Sequence, residues 1–508
     1  MCYNGDTLIG EVRDKAMNTE KKPLAYCAPE EVGVPSSAVE AYVRAVAGQK
    51  AALHSLLILR HNRLIFEGYW KPMDESFRHR LYSCSKSFVS CAVGILIERG
   101  QLSLDDKAIS FFPDKAPAQP HPWLAEMTIR DLLRMSTCYE KGASYRPSDP
   151  DWEATFFTDE ISHKPGMVFS YCTTATTMLC MIIKRVSGLE FTQVLRPVFD
   201  EIGISDELYC IETPCGHEWG GSGVMATARE FMKFANLCMH YGEYEGRQLL
   251  PRDYMREATS KQIDNSVDHN GVDEGAGYGY QFWMLPHGGF AFNGMGGQFG
   301  LCLPDKDLAI VTTGYEQLNS HGRNEVFRAL WRELYPFLSD APLPADPEAA
   351  ARLQPLADSL ELLRPDGALS SPTAARVSGK TYVMAENRMG MKWLRFDFEN
   401  GRGVMNYENA TGVHALPFGL GRQEACAFPE THYNGKRIGT PLGRGFDCQV
   451  SAAWELEDEL MIYCHVVDMH LAQLRIAVAF HGNAVTLRTA MHAEFFMQEY
   501  AGFASGEY

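Results

Sequence analysis

Leu81-Tyr82-Ser83-Cys84-Ser85-Lys86-Ser87 is the stretch whose reading decides the fold. Ser83 and Lys86 stand three residues apart at what reads as a helix start, so they share one helix face and the ammonium can reach the hydroxyl. A serine hydroxyl is a poor nucleophile until a neighbouring base takes its proton. A lysine can be that base when it is partly desolvated and close to a positive helix N-terminus, since both favour its neutral form. The free backbone N–H groups of the first turn point at any oxyanion formed beside Ser83. The apolar run Phe88–Ile97 that follows would pin this corner in a core. Ser-x-x-Lys alone recurs by chance in a chain of 508 residues, so it needs support from elsewhere.

Two further segments supply that support. Pro165-Gly166-Met167-Val168-Phe169-Ser170-Tyr171-Cys172-Thr173 precedes a helical pattern at 176–188. A tyrosine in a loop ahead of a buried helix can present its phenol at a second active-site wall. Beside a lysine ammonium it gives up its proton more readily, as a proton shuttle must. Farther on, Phe292-Asn293-Gly294-Met295-Gly296-Gly297-Gln298-Phe299-Gly300 places glycines at a strand edge, where backbone can approach a ligand closely. An N–H from that strand, opposite the N–H of Ser83, would complete a two-donor oxyanion hole. A dinucleotide loop is excluded, because Gly294-x-Gly296 meets Phe299 where a third glycine belongs.

Taken in order, these segments resemble the serine β-lactamase and penicillin-recognising family, in its class C-like esterase and amidase branch with 6-aminohexanoate-oligomer hydrolase-like members. Tyr82 to Phe88 is similar to that family's nucleophile motif, Pro165 to Tyr171 to the lead into its Tyr-x-Asn motif, and Asn293 to Gly297 to its Lys-Thr-Gly or His-x-Gly segment. Framework stretches 127–137, 218–237 and 294–314 agree. The resemblance covers about residues 30–337. It implies an α+β fold of the β-lactamase/transpeptidase type: an antiparallel sheet flanked by helices, plus a helical subdomain. It also implies roles. Ser83 is the acylated nucleophile, Lys86 its base, and Tyr171 the proton relay to the leaving group and later to water. The N–H groups of Ser83 and Gly297 hold the oxyanion, or that of Gln298 if the register differs by one. Thr173, Gly294, Met295, Gly296 and Gln298 are further candidates for the pocket wall. Two departures stand out: Thr173 replaces the asparagine of the second motif, and Gly294 occupies the place of the third motif's cation. In the family that cation helps to bind a substrate carboxylate, so its loss turns the expectation from β-lactams and cell-wall peptides toward a small ester or amide. Acyl transfer would need the same trio, and the departures also fit a silent binding or sensor protein.

Outward from the motifs, the chain divides into a lead-in at 1–35, a catalytic unit at 36–337, a linker at 338–375 and a β-rich tail at 376–508. Residues 54–60 and 63–70 read as a β-hairpin turning at His61-Asn62, and a helix runs from near Ser83 to Gly100. Helical patterns fall at 129–135, 176–188 and 228–240, strands at 290–293, 298–303 and 308–313, and an amphipathic helix at 324–337. Strands at both ends with helices between predict one antiparallel sheet built from both ends beside a helical insertion. In the tail, 392–399, 459–467, 473–480 and 484–491 are β-rich, predicting a small all-β sandwich or barrel. That tail leaves open shaping the pocket mouth or joining two copies as a homodimer.

Composition removes other classes. With 47 basic against 64 acidic residues the net charge is −17, which argues against nucleic acid as partner. The 14 cysteines lie singly without a Cys-x-x-Cys pair, as expected of buried thiols in a reducing cytoplasm. The first twenty residues lack a signal-peptide core, and no apolar run is long enough to cross a bilayer. The expectation is therefore a cytoplasmic enzyme away from membranes, with no metal or organic cofactor. Gly220-Gly221-Ser222-Gly223-Val224 fails as a nucleophile elbow, because valine stands in the last glycine's place. His217-Glu218 has no second histidine at metalloprotease spacing, and His465 and His470 would face opposite sides of a strand. Trp219 reads either as pocket lining or as packing, and Arg134 as a structural cap or ion pair.

Overall fold

His61 and Asn62 both take positive φ, 50° and 59°. That is the turn whose twist matches a two-residue hairpin, so Leu53–Arg60 folds back onto Arg63–Tyr69 as predicted. The structure is a computed structural model of the 508-residue chain. It describes residues 22–48, 52–140, 151–267, 273–315, 320–431, 445–468, 472–493 and 497–508. Two units are distinguished, Met1–Glu361 and Leu362–Tyr508.

In the first unit, Leu53–Arg60 is buried at every position because it has a strand on either side and helices on both faces. Its second neighbour is Leu308–Gly314, joined antiparallel with Ile58 opposite Ile310 and Leu57 opposite Val311. The two ends of the unit thus meet at the centre of one seven-stranded sheet. Its order is Ala25–Tyr26, Arg63–Tyr69, Leu53–Arg60, Leu308–Gly314, Gln298–Leu303, Phe290–Gly294 and Trp283–Met284. All pairings are antiparallel except that of the short first strand. On one face Ser36–Gly48 packs with Ser320–Ala329, and Phe327 meets Phe299. On the other, Ala228–Met239 lies across the central strands, and Phe88 of Ser85–Glu98 stacks on Phe234 with centroids 3.9 Å apart.

Local differences from the expected boundaries have identifiable causes. The first-motif helix begins at Ser85 rather than Ser83, because Tyr82 sits at φ 48° and Tyr82–Cys84 forms a tight 3-10 turn first. The amphipathic stretch at 324–337 is not one helix: Ser320–Ala329 loosens into a π turn at Leu330–Leu334 and ends in a 3-10 turn at Tyr335–Phe337, where Pro336 has no N–H to continue the ladder. Within 338–375, helix Pro347–Asp358 packs on Ser36–Gly48 and Arg63–Tyr69 of the first unit, capped by Asp346. The shorter Pro372–Val377 belongs to the second unit.

The second unit is a closed β-barrel rather than a sandwich. Ten strands run in the order 412–420, 402–409, 393–399, 381–384, 502–507, 484–493, 472–481, 459–466, 447–456 and 424–427. A parallel pairing of Gly419 and Leu420 with Ser451 and Ala452 closes the ring between the first strand of this order and 447–456. Closure removes open edges, and alternate inward side chains fill the middle. Tyr382, Phe396, Phe418, Trp454 and Phe480 are among those buried there. His465 is buried with a ring nitrogen on the Leu363 carbonyl at 2.8 Å, and burial pushes it down to about 4; His470 lies outside the described residues. Among the described residues no helix is long and apolar enough to cross a membrane, and every cysteine is a free thiol.

Candidate active site

Ser83 occupies the middle of the 3-10 turn, on a backbone that Tyr82 holds in the left-handed region, a costly conformation for a residue with a side chain. The turn is fastened at both ends to one strand. The Leu81 N–H donates to the Val224 carbonyl at 2.8 Å, and the Val224 N–H donates to Ser85 Oγ at 3.0 Å. One helical turn on, Lys86 Nζ donates to Ser83 Oγ at 3.1 Å and also to the Gly221 carbonyl. Lys86 is 1% exposed. Burial pulls its ammonium from 10.5 down to about 7, so that near neutrality a large share is an unprotonated amine facing the serine.

Tyr171 joins these two through Lys86, whose Nζ lies 5.2 Å from the centre of the Tyr171 ring. The loop that delivers it is held by backbone. Gly166 N–H donates to Ser136 O at 2.7 Å and Ser170 N–H to Met135 O at 2.8 Å. Arg134 acts structurally, bonding Asp131 Oδ1 at 2.9 Å and the Gly166 carbonyl at 3.0 Å. Beyond the loop, Cys172 caps helix Thr173–Ser187, which places Thr173 at its first position. Three aromatic rings wall Tyr171: Trp283 at 5.6 Å, Phe169 at 6.4 Å and Tyr278 at 6.5 Å between centroids.

The glycine-rich segment is the hairpin between Phe290–Gly294 and Gln298–Leu303, with Gly294 paired to Gln298 and Met295, Gly296 and Gly297 in the turn. Its end abuts the nucleophile turn. A Cβ on Gly294 would lie 2.5 Å from the Leu81 carbonyl oxygen and 3.1 Å from Cys84 Sγ, and the Cys84 thiol donates to the Gln298 carbonyl at 3.1 Å. A side chain at position 294 would therefore meet the turn that carries Ser83. Gln298 is fully buried, its amide donating to Gly314 O at 2.6 Å and accepting from Gly314 N–H at 3.0 Å.

Two elements of the site escaped the sequence reading. Gly220-Gly221-Ser222-Gly223, rejected as an elbow, is the loop that turns the Gly221 carbonyl toward Lys86. A Cβ on Gly221 would meet the Thr173 carbonyl at 3.0 Å, so only glycine lets this loop lie so close to the second-motif helix. Gln281 is the other. Buried at φ 66°, it accepts from Ser87 Oγ through its backbone carbonyl at 2.7 Å and from Thr176 Oγ1 through Oε1 at 2.6 Å, and it donates to Leu133 O at 2.6 Å. It ties three helices together, and no motif marks it. Trp219 is packing, edge-on to Trp152 at 6.0 Å. Beside it, the Glu218 carboxylate accepts from the Thr192 N–H at 3.1 Å, and burial raises it to about 7.

Comparison with known proteins places the chain in a family. The sequence profile of the Beta-lactamase family matches residues 39–329. The 6-aminohexanoate-dimer hydrolase of Paenarthrobacter ureafaciens is 21% identical over 285 residues, which are 52% of this chain and 72% of that protein. An uncharacterized protein of Alkalihalophilus pseudofirmus is 23% identical over 312 residues, 54% of this chain and 86% of that one. Among solved structures, EstCE1, a hydrolase with promiscuous acyltransferase activity, is 17% identical with a TM-score of 0.48, covering 58% of this chain and 99% of its own. The octameric penicillin-binding protein homologue from Pyrococcus abyssi is 15% identical with a TM-score of 0.46, covering 92% and 99%. With the family profile spanning more than half of the residues, the chain belongs to the Beta-lactamase family and is a serine hydrolase of it.

Proposed function

We propose that the chain hydrolyses a small-molecule ester or amide through an acyl-Ser83 intermediate. The observation that carries this reading is the 3.1 Å contact between Lys86 Nζ and Ser83 Oγ, with the lysine brought down to about 7. The neutral amine takes the Ser83 proton as Oγ bonds to the substrate carbonyl carbon. The negative charge that forms on the carbonyl oxygen is held by the N–H groups of Ser83 and Gly297. The proton then passes from Lys86 by way of the Tyr171 phenol to the departing alcohol or amine as its bond to the carbonyl carbon breaks. Water then adds through its oxygen to the acyl carbon as Tyr171 and Lys86 take its proton, and the bond from that carbon to Ser83 Oγ breaks with return of the proton to Oγ, releasing the carboxylic acid. The filled space at Gly294 favours substrates that need no carboxylate clamp, and a relative named for cleaving the 6-aminohexanoate dimer supports amides as well as esters.

A fluorophosphonate probe tests it. The protein should gain one adduct, mapped to Ser83, and Ser83→Ala should gain none; equal labelling of the two overturns the reading. Intact mass after mixing with p-nitrophenyl esters and anilides of graded size then names the acyl group accepted. Added alcohols and amines report how the acyl-enzyme divides between water and other acceptors.

A further inference from the structure

Arg80 stands three residues before Ser83 and is 3% exposed. It lies on the two-residue strand His79–Arg80, opposite Met225 of Val224–Ala226. Its Nε donates to the Ser222 carbonyl at 2.9 Å and its Nη2 to Ser222 Oγ at 3.1 Å. Its guanidinium lies over two rings, 4.5 Å from the centre of Tyr82 and 4.8 Å from that of Trp219. A buried guanidinium persists only when bonded and set over rings in this way. These two hydrogen bonds and one of the rings come from a single loop, Trp219–Gly223, which is closed on itself by Ser222 N–H and Gly223 N–H donating to the Trp219 carbonyl at 2.9 and 2.7 Å. That loop carries the Gly221 carbonyl bonded to Lys86. The other ring is that of Tyr82, the strained residue directly before the nucleophile.

We infer that Arg80 is a positioning residue for acylation: by gripping Ser222 and lying over Tyr82 and Trp219, it fixes the Gly221 carbonyl that holds Lys86 Nζ at the Ser83 hydroxyl. This rests on the reading of Ser83 and Lys86 proposed above. The geometry leaves the lysine one carbonyl acceptor and one hydroxyl to aim at, and both are attached to segments that Arg80 touches. The groups facing Lys86 are Ser83 and Cys84 from its own motif, Tyr171 and Cys172 from the second, Cys180 from the following helix, and Arg80. Of these Arg80 is the permanent cation, so it also favours the neutral amine.

The full-length chain labelled by a fluorophosphonate tests the inference without knowledge of the substrate. The labelling rate is followed against pH, together with the final labelled fraction and thermal unfolding. Arg80→Gln removes the charge, Arg80→Lys keeps it but loses the two-point grip, and Ser222→Ala removes one acceptor. Loosening the grip should slow labelling by about 10- to 100-fold in both Arg80 variants, with complete labelling of the folded protein at long times. Arg80→Gln should also move the acid limb of the rate profile to higher pH, while Arg80→Lys leaves it in place. Ser222→Ala should be slowed by a smaller factor. A lower labelled fraction at unchanged rate and unchanged limb would show that Arg80 serves only folding, and would overturn the inference. If Arg80→Gln does not fold, wild-type rates in Arg80→Lys and Ser222→Ala overturn it equally. Absence of Ser83 labelling in the unaltered protein is a different result, which removes the proposed acyl-enzyme itself.

Discussion

The Thr176 hydroxyl donates to Oε1 of Gln281 at 2.6 Å, inside a core that no solvent reaches. Gln281 also serves Ser87, on the nucleophile helix, and Leu133, on the helix that anchors the Tyr171 loop. Replacing it with leucine strands the Thr176 hydroxyl and takes the side-chain donor from the Leu132 carbonyl in a dry interior, while the Leu133 carbonyl keeps the backbone N–H of residue 281. We expect a loss of about 3 kcal/mol in unfolding free energy, from two buried groups that lose this partner. Urea denaturation followed by tryptophan fluorescence measures it, and a loss below about 1 kcal/mol would show the network to be dispensable.

In the proposed mechanism Lys86 sets the pH at which Ser83 is acylated. Its ordinary value of 10.5 is brought to about 7 by burial, and the amine acts only when unprotonated. Labelling of Ser83 should therefore rise with pH up to about 7 and then level off. Lys86→Arg cannot lose its proton near neutrality and should be slower by about a thousandfold. Stopped-time fluorophosphonate labelling between pH 5 and about 9 reads both effects; a profile flat across neutrality would remove Lys86 as the base.

Glu218 makes stability depend on pH in the opposite sense to an ordinary carboxylate. Burial raises it from 4.5 to about 7, so the native state keeps a proton that the unfolded chain has released. Its contribution is complete below about 4.5 and is lost as pH rises through about 7. The melting temperature of the protein minus that of Glu218→Gln should fall across that window and stay level above it. Differential scanning fluorimetry of the pair is the check, and a constant difference would rule the titration out.

Gly294→Ala separates catalysis from folding. The added methyl would sit 2.5 Å from the Leu81 carbonyl oxygen, a backbone atom that can yield only by moving the nucleophile turn. Overpacking of this kind costs about 1–3 kcal/mol, and displacement of Ser83 should slow labelling by about tenfold or more. A variant that is less stable but labels at the normal rate would show that the turn absorbs the methyl elsewhere.

How far the sequence reveals these arrangements depends on the range over which each is encoded. Ser83, Lys86, Tyr171 and the Gly294–Gly297 turn are local patterns, readable because spacing alone brings their groups to a helix start, a helix lead-in and a strand edge. The central sheet was legible from Leu53–Arg60 and Leu308–Gly314, since two buried strands at opposite ends of one unit have each other to pair with. The aromatic wall of Tyr171 was not, because Tyr278 and Trp283 lie more than a hundred residues farther along the chain. Arg80 and Gln281 hid for a related reason: a polar residue reads as surface unless its buried partners are known, and those partners come from distant segments. In the barrel, 402–409, 412–420 and 447–456 were unmarked because glycines and polar residues interrupt the alternation on which a strand reading depends.

The packing of Gly294 against Leu81 also limits what this position can accept. A lysine or histidine introduced here alone would bring its Cβ against the Leu81 carbonyl oxygen. The turn would have to shift first, at the expense of Ser83's own alignment.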